Sequence, residues 1–444
     1  MVTLLFRRYC WRCLCGNHPA IHRSPERTLV IRTLILECKL PSKTTDALNR
    51  ESGRIYTEVM IEHYRIYRNH TIWLNNPKMQ KYHDRISQSS FLHAHSIDAA
   101  QEAFYKACKT AKANRVDGAN YPHKKKSYRT TIWKKSGIRK RGDHLLLSLA
   151  RGNQPIAFRL PTSLAALDGQ QFLEARLVYD KAHRKYEWHI VIENSIEPLS
   201  MPGSGIAGVD LGEVHPAAMT DGREALVVSC RELRSLNQYW NKRLAKLKSL
   251  QSSKQKHSRR WWRIQRRINR FLAQNKQQRR DLEHKISRVV VDWSVVHQVG
   301  TLAIGNVRDV ANRKRLNRKS QQKVSNWSHG KIRQYIAYKA EAQGVLVNDE
   351  IDESYTSQTC VYCGRKRKPK GRIYSCKCGQ TYHRDVGGAA NILSRFCYGE
   401  LSKVNAPYPF FFRPHSKVSQ SVALRSLFGT EHVAREDSRE VPPL

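Results

Sequence analysis

Acidic residues are scarce in this chain of 444 residues: 37 Asp and Glu stand against 79 Lys and Arg, a formal net charge of +42. A solvated surface needs no such excess, so the expected partner is a polyanion, and nucleic acid is the commonest. Long apolar runs are missing too. No stretch approaches the ~18 residues of a membrane span, and the opening MVTLLFRRYCWRC puts arginines where a secretory signal would put its apolar core. No membrane partner is expected. A disulfide framework is also lacking: of the eleven cysteines, Cys38, Cys108, Cys230 and Cys397 are scattered singles. That pattern excludes a small secreted scaffold and suits a reducing compartment, so the expected location is cytoplasmic, associated with the nucleoid. The length allows two or three domains, each with a sizeable core.

What the chain does contain is concentrated between Gly344 and Leu393. Cys360-Val-Tyr-Cys363-Gly364 and Cys376-Lys-Cys378-Gly379 form two turns, each ended by a glycine able to take positive φ, and their four thiolates can close a tetrahedral zinc site. With all four ligands from protein, that zinc is structural. Seven residues after Cys378, Asp385 opens an apparent helix, DVGGAANIL, where alone it would read as an N-cap. Upstream, GIAGVDLG sets Asp210 in a short buried strand just before a glycine turn. An isolated carboxylate is costly to desolvate there, so Asp210 calls for a partner. VHPAAMTDGREALVVS continues it as strand, Asp-Gly turn and strand.

Taken in order, the chain begins with residues 1–26, where Cys10, Cys13, Cys15, His18 and His22 have ligand-like spacing but no partner knuckle; the segment reads as a basic leader, expected to be disordered. Residues 27–40 read as a strand, with Thr44 or Thr45 as helix caps and helical periodicity to about Lys112. Between Asp117 and Asn194 the period becomes that of strands, with EARLVYD and YEWHIVI joined as a hairpin. An antiparallel barrel split by a helical insertion fits this order. HKKKSYRTTIWKK and GIRKRGD interleave cations with Tyr128 and Trp133, either as phosphate and stacking contacts or as a solvated basic loop.

A Pro, Gly and Ser-rich linker, 197–205, marks the boundary to the second half. From Arg231 to Arg288, 19 Lys and Arg stand against Glu232, Asp281 and Glu283, on what reads as two long helices turning near Gln251 to Ser258. One sign of charge over that length points to phosphate. TLAIG, 301–305, is a buried strand, followed by the cation-dense RDVANRKRLNRKSQQKVSNW, a candidate nucleic-acid contact. A helix with Ser325 or Ser328 as cap then ends before Gly344. Beyond Arg395 the charge is nearly balanced, and the tail reads as a weakly structured appendage.

The set GVDLG, TLAIGNV, YTSQTCVYCG with its second cysteine pair, and HRDVGGAAN with Asn391, resembles the TnpB family of transposon-encoded RNA-guided nucleases, relatives of the type V CRISPR effectors. The resemblance runs from about Gly205 to Arg395, more weakly from Arg27 to Asn194, and not to either end. It implies an α/β plus β-barrel fold: a ribonuclease H-like (RuvC) nuclease domain with an inserted zinc finger, preceded by a wedge-type β-barrel carrying a helical recognition insertion. The corresponding segments are 27–45 and 117–200 for the wedge, 46–116 for the recognition insertion, and 205–355 for the nuclease with a helical hairpin at 231–299. The zinc finger takes 356–382, the final nuclease helix 383–395, and the tail 396–444. The implied partners are a guide RNA and a target double-stranded DNA, with oligomeric state left open.

The implied chemistry is that of a metal-dependent DNA endonuclease with two Mg²⁺ ions roughly 4 Å apart, held by oxygen ligands. Asp210 would bridge both ions and Asp385 would hold one. Family members carry a third acid, a glutamate, at the end of the fourth strand, where this sequence has Gly305 and then Asn306. The resemblance allows a displaced acid: Glu353 follows the neighbouring strand, ~4.8 Å away in such a sheet, and Gly305 would leave room for it. Glu350 and Asp352 rank behind it, since Asp352 should point to the opposite face. The alternative is a nuclease-inactive RNA-guided DNA-binding regulator. A direct transposase role is third, because no strand-transfer partner domain is in evidence.

Overall fold

A computed structural model describes residues 30–82, 89–114, 118–194, 199–307 and 316–414. The leader with its Cys and His residues, the cation-dense segment 308–315 and the tail from 415 lie outside the described residues.

The first half begins with β1 (Val30–Glu37) and two helices, α1 (Ser42–His70) and α2 (Ala94–Ala113), with a short helix Asn76–Gln80 between them. The helix expected to be capped by Thr44 or Thr45 starts earlier, after Pro41. Thr45 lies inside its first turn, with its hydroxyl bonded back to the Ser42 carbonyl. Pro41 is the N-cap residue, in a non-helical conformation, and its carbonyl accepts from the Thr44 and Thr45 N–H groups.

Strands β2 (Thr131–Lys134), β3 (Ile138–Arg141), β4 (His144–Leu147), β5 (Ile156–Arg159), β6 (Phe172–Asp180) and β7 (Lys185–Asn194) complete this half. All their pairings are antiparallel, as expected, but they form two sheets, β1-β7-β6-β2 and β3-β4-β5, rather than one continuous barrel among the described residues. The 3-10 turn Lys135–Gly137 interrupts the chain between β2 and β3 and hands it from one sheet to the other. Both sheets and the two helices share a core around Tyr56, Phe104, Trp133, Phe172 and Trp188.

The second half is built on a six-stranded sheet in the order β12-β11-β8-β9-β10-β15. Its strands are β8 (Gly205–Asp210), β9 (Ala217–Thr220), β10 (Ala225–Val228), β11 (Val299–Gly305), β12 (Leu346–Ile351) and β15 (Pro409–Phe412). The β8-β9-β10 meander is antiparallel, whereas β11 pairs parallel with both β8 and β12. Strand β15 pairs parallel with β10, so the segment expected to be a loose appendage supplies the sixth strand, and Phe410 and Phe412 pack against the sheet core. Aromatic residues in a short run found an open edge, which no local pattern announces.

Between β10 and β11 run α3 (Arg231–Ser252) and α4 (Arg259–Val296), turning where the sequence places the turn, with Ser258 accepting from the Trp261 N–H as a cap. The C-terminal half of α4 buries Leu282, Ile286, Val289, Val290 and Trp293 on the sheet, each contributing roughly 1.5–3 kcal/mol. Its N-terminal half instead pairs with α3 through Trp240 and Phe271, whose ring centroids are 3.7 Å apart. Helices α5 (Arg318–Ser325) and α6 (His329–Glu341) lead into β12, and Gly344 takes the positive φ of 71° expected past the helix end.

The hairpin of β13 (Ile373–Ser375) and β14 (Thr381–His383) precedes α7 (Arg384–Tyr398), which lies across β8 and β9. Glycine lets this helix sit close. A Cβ on Gly208 of β8 would come within 2.2 Å of the Ala389 carbonyl oxygen.

Candidate active site and zinc centre

Strands β8, β11 and β12 run in the same direction, so their C-terminal ends share one edge of the sheet. Asp210 ends β8, Gly305 ends β11, and Glu353 follows Ile351 by two residues. Asp385 enters the same edge from the first turn of α7. The three acids singled out in the sequence therefore lie along this edge, with Asp210 between the other two, close enough to feel the charge of Asp385 and to act on Glu353.

Glu353 occupies the volume over Gly305. A Cβ built on that glycine would lie 2.0 Å from Glu353 Oε1 and 2.5 Å from its Cγ, so no residue with a side chain fits there without displacing Glu353. Gly388 plays the equivalent part beneath Asp210, since a Cβ there would lie 2.7 Å from Asp210 Oδ2. Glu353 Oε1 is buried with no hydrogen-bond partner among the described residues. Burial, and after it the charges of Asp210 and Asp352, push the Glu353 carboxyl up to about 9. Burial and then the charge of Asp385 push Asp210 up to about 7. Two crowded carboxyls that hold their protons this far above the usual range mark negative charge that the protein leaves uncompensated. Hard cations with oxygen-seeking chemistry suit such a set.

Asp385 differs. His215 Nδ1 donates to its Oδ2 at 2.7 Å, Arg372 donates to the same oxygen at 2.9 Å, and Arg384 reaches Oδ1 at 3.0 Å. Burial alone would raise this carboxyl, but the His215 hydrogen bond and the two guanidinium charges outweigh it and hold Asp385 below the usual carboxylate range. His383 stands beside His215, ring centroids 5.3 Å apart, and burial brings its imidazole down to about 4. His215, His383 and Asp385 converge closely enough to suggest a metal site, yet two guanidiniums already occupy the carboxylate, which argues against a cation held by that trio alone.

Asp352 is turned away, as alternation along the strand requires. Its carboxylate is exposed and tied to Arg395 at 2.9 Å. Glu350 is also exposed. Asn391, grouped with the acids in the sequence, is fully buried and structural: its amide nitrogen donates to the Thr356 and Thr359 carbonyls, and its oxygen accepts from the Ser402 N–H. Sequence reasoning missed His215, Arg372 and Arg384. The only signal for His215 was its place five residues after Asp210, in the loop closed by the Gly212 N–H on the His215 carbonyl.

The four thiols meet as expected. Cys360 and Cys378 sulfurs are 3.8 Å apart and those of Cys363 and Cys376 3.5 Å, far beyond a ~2.05 Å disulfide and close to the ~3.8 Å edge of a tetrahedron with 2.3 Å zinc–sulfur bonds. Gly364 and Gly379 take φ of 73° and 87°, closing each turn. The one-residue spacing of the second pair is accommodated by the Gly379 N–H bonding back to the Cys376 carbonyl. The cluster fits a structural zinc.

No described helix is long and apolar enough to cross a membrane. Two family profiles match the chain: OrfB_IS605, "Probable transposase", over residues 189–311, and "Cas12f1-like, TNB domain" over residues 329–392. The "Putative RNA-guided DNA endonuclease InsQ" of Escherichia coli is 29% identical over 223 residues, covering 47% of this chain and 54% of that protein. The "CRISPR-associated endodeoxyribonuclease Cas12f1" of Sulfoacidibacillus thermotolerans is 33% identical over 116 residues, 24% of this chain and 25% of that one. The "TnpB-like protein ORF457" of Acidianus two-tailed virus is 25% identical, covering 51% and 49%. The matched regions thus span about half or less of these relatives. Among solved structures, the Cas12f1–sgRNA–target DNA complex matches with a TM-score of 0.58 at 14% identity, over 79% of this chain and 83% of that one, a likeness of fold. With the acids, the cysteine cluster and both profiles on the same half of the molecule, residues 189–311 match the TnpB/OrfB family of IS605 type and residues 329–392 match the Cas12f-like TNB zinc-finger domain.

Proposed function

We propose that the chain is an RNA-guided DNA endonuclease whose phosphodiester-hydrolysing site is Asp210, Glu353 and Asp385. The observation that carries this reading is Glu353 seated over Gly305, with an unpartnered oxygen beside Asp210. The strand order β10-β9-β8-β11-β12 is that of a ribonuclease H-like sheet, which supports a RuvC-type domain over 205–395 with the zinc finger at 356–382 inserted. The helical and antiparallel segments before it support the wedge and recognition assignment. The RNA guide and double-stranded target rest on the relatives' names and on the charge of +42.

Asp210, Glu353 and Asp385 would hold two Mg²⁺ ions, which when bound activate the attacking water and stabilise the leaving oxygen. The protein's part is to keep Asp210 and Glu353 unpaired by any described cation at a buried strand edge, each seated over a glycine, while Asp385 is held in place by His215, Arg372 and Arg384. Arg372 and Arg384 hold Asp385 while cations are absent, and they remain near enough to meet the phosphate afterwards.

The test is plasmid cleavage in Mg²⁺ by the purified protein with RNA transcribed from its own locus. Wild type should cut, and Asp210→Ala and Glu353→Ala should each lose at least about 10³-fold. Tight target binding without cutting by wild type would overturn the nuclease reading in favour of a nuclease-inactive regulator.

A further inference from the structure

A cavity of about 270 Å³ opens beside the acids, between the zinc-finger hairpin and the C-terminal strand. Its walls are aromatic: Tyr382 and Phe411 on the inside, and Tyr408 on the rim. Tyr382 is rigid, because its hydroxyl accepts from the Val361 N–H and its ring stacks on Tyr374 with centroids 5.0 Å apart. Tyr408 stands 76% exposed between Pro407 and Pro409, a large aromatic ring with almost no cover on a stiffened backbone. The charged groups on the cavity are cations, Arg231 and Arg372, with His215 and His383 at the end nearest the acids.

Aromatic faces flanked by guanidiniums suit a nucleotide, with the base stacked and the phosphate on arginine. The volume lies near the ~300 Å³ lower end of small-ligand sites, enough for one nucleotide and too little for a run of them. Position narrows the ligand further. Arg372 lines the cavity and also bonds Asp385 Oδ2 at 2.9 Å, and His215 does both as well. Whatever fills the cavity therefore sits one side chain away from Asp385, across Arg372 and His215.

We infer that this cavity is a subsite for one unpaired nucleotide of the DNA strand being cut, its base between Tyr408 and the Tyr382–Phe411 wall and its phosphate on Arg231 and Arg372. This rests on the nuclease reading above. The site depends on the C-terminal strand, since Tyr408 and Phe411 come from the segment around β15.

Photocrosslinking of the full chain to a single-stranded oligodeoxynucleotide bearing 5-iododeoxyuridine, with the crosslinked peptides mapped by mass spectrometry, tests it. The expected crosslinks fall on the peptides carrying Tyr408 and Tyr382. Tyr408→Ala should cut their yield about tenfold while Tyr408→Phe keeps it. Crosslinks confined to other peptides, or a yield unmoved by Tyr408→Ala, would overturn the subsite. Plasmid cleavage measured alongside separates the two ideas: cutting without these crosslinks removes the subsite and leaves the nuclease, whereas these crosslinks without cutting leave a DNA-binding cavity on an inactive protein.

Discussion

The four thiols draw on one stretch, Cys360 to Cys378, closed by backbone turns of a few residues. The three carboxylates come from the ends of β8 and β12 and the start of α7, from position 210 to position 385. The zinc centre is thus a local object, with ligand spacing set by short-range geometry. The acid cluster exists only when three parallel strands and a helix are docked. The two also handle charge differently. The thiolate set is closed by its own four ligands once a cation is present, whereas the acid edge is left open and proton-holding, with only Asp385 neutralised by arginine. A structural centre saturates its ion; a site meant for substrate leaves something to be completed.

Removing the zinc should break this contrast most severely. Cys360→Ser, or a chelator strong enough to strip zinc, should abolish plasmid cleavage and open residues 356–383 to protease, because structural zinc contributes folding energy outright. The first-half core around Trp133 and Trp188 should stay protected, since its sheets share no strand with the finger.

Gly305→Ala asks how far the acid edge depends on an empty volume. The new methyl would meet Glu353 within 2.0 Å, so cleavage should fall about 10–100-fold in the same assay, as a misplaced ligand costs. Combined with Glu353→Ala it should add nothing further, because both changes remove one interaction.

Stability should move the opposite way to activity at Glu353. The folded chain keeps protons at Glu353 and Asp210 that the unfolded chain, with carboxyl values near 4, has given up. Metal-free stability therefore falls as pH rises from about 4.5 towards 9. Glu353→Gln should raise the metal-free melting midpoint at pH 8 by about 2 °C, on the order of 1 kcal/mol, while Mg²⁺ should raise the midpoint of wild type only. An unchanged or lowered midpoint would show that the carboxylate is not held at a desolvation cost.

The smallest effect should come from Asp352→Ala. Its carboxylate faces solvent and Arg395, so cleavage should stay within about twofold of wild type; surface ion pairs are worth little. A large loss would move the third acid from Glu353 to its neighbour.

Much of this was legible in the residues. The cysteine spacing, the turn at 251–258 and the Gly344 stop follow from short-range rules and stand in the structure where the sequence puts them. The single antiparallel barrel is two sheets among the described residues, and Pro409–Phe412 of the expected loose tail is a strand, for one reason. Which strand meets which edge depends on partners far along the chain, and Pro409–Phe412 shows no sign in its own composition of pairing with Ala225–Val228. The arginines on Asp385 were equally hidden: Arg384 is its neighbour, but Arg372 arrives through the fold of the zinc hairpin.

The sequence by itself determined the large positive charge and the spacing of the four thiols, because charge, ligand type and turn chemistry are properties of residues and their near neighbours; the choice of acids came from the family resemblance. Only the tertiary structure decided that Glu353 fills the space over Gly305, that Asp385 is caged while Asp210 is not, and that a C-terminal strand walls a cavity beside them. Those outcomes turn on distances of a few ångström between segments far apart in the chain, which packing alone sets.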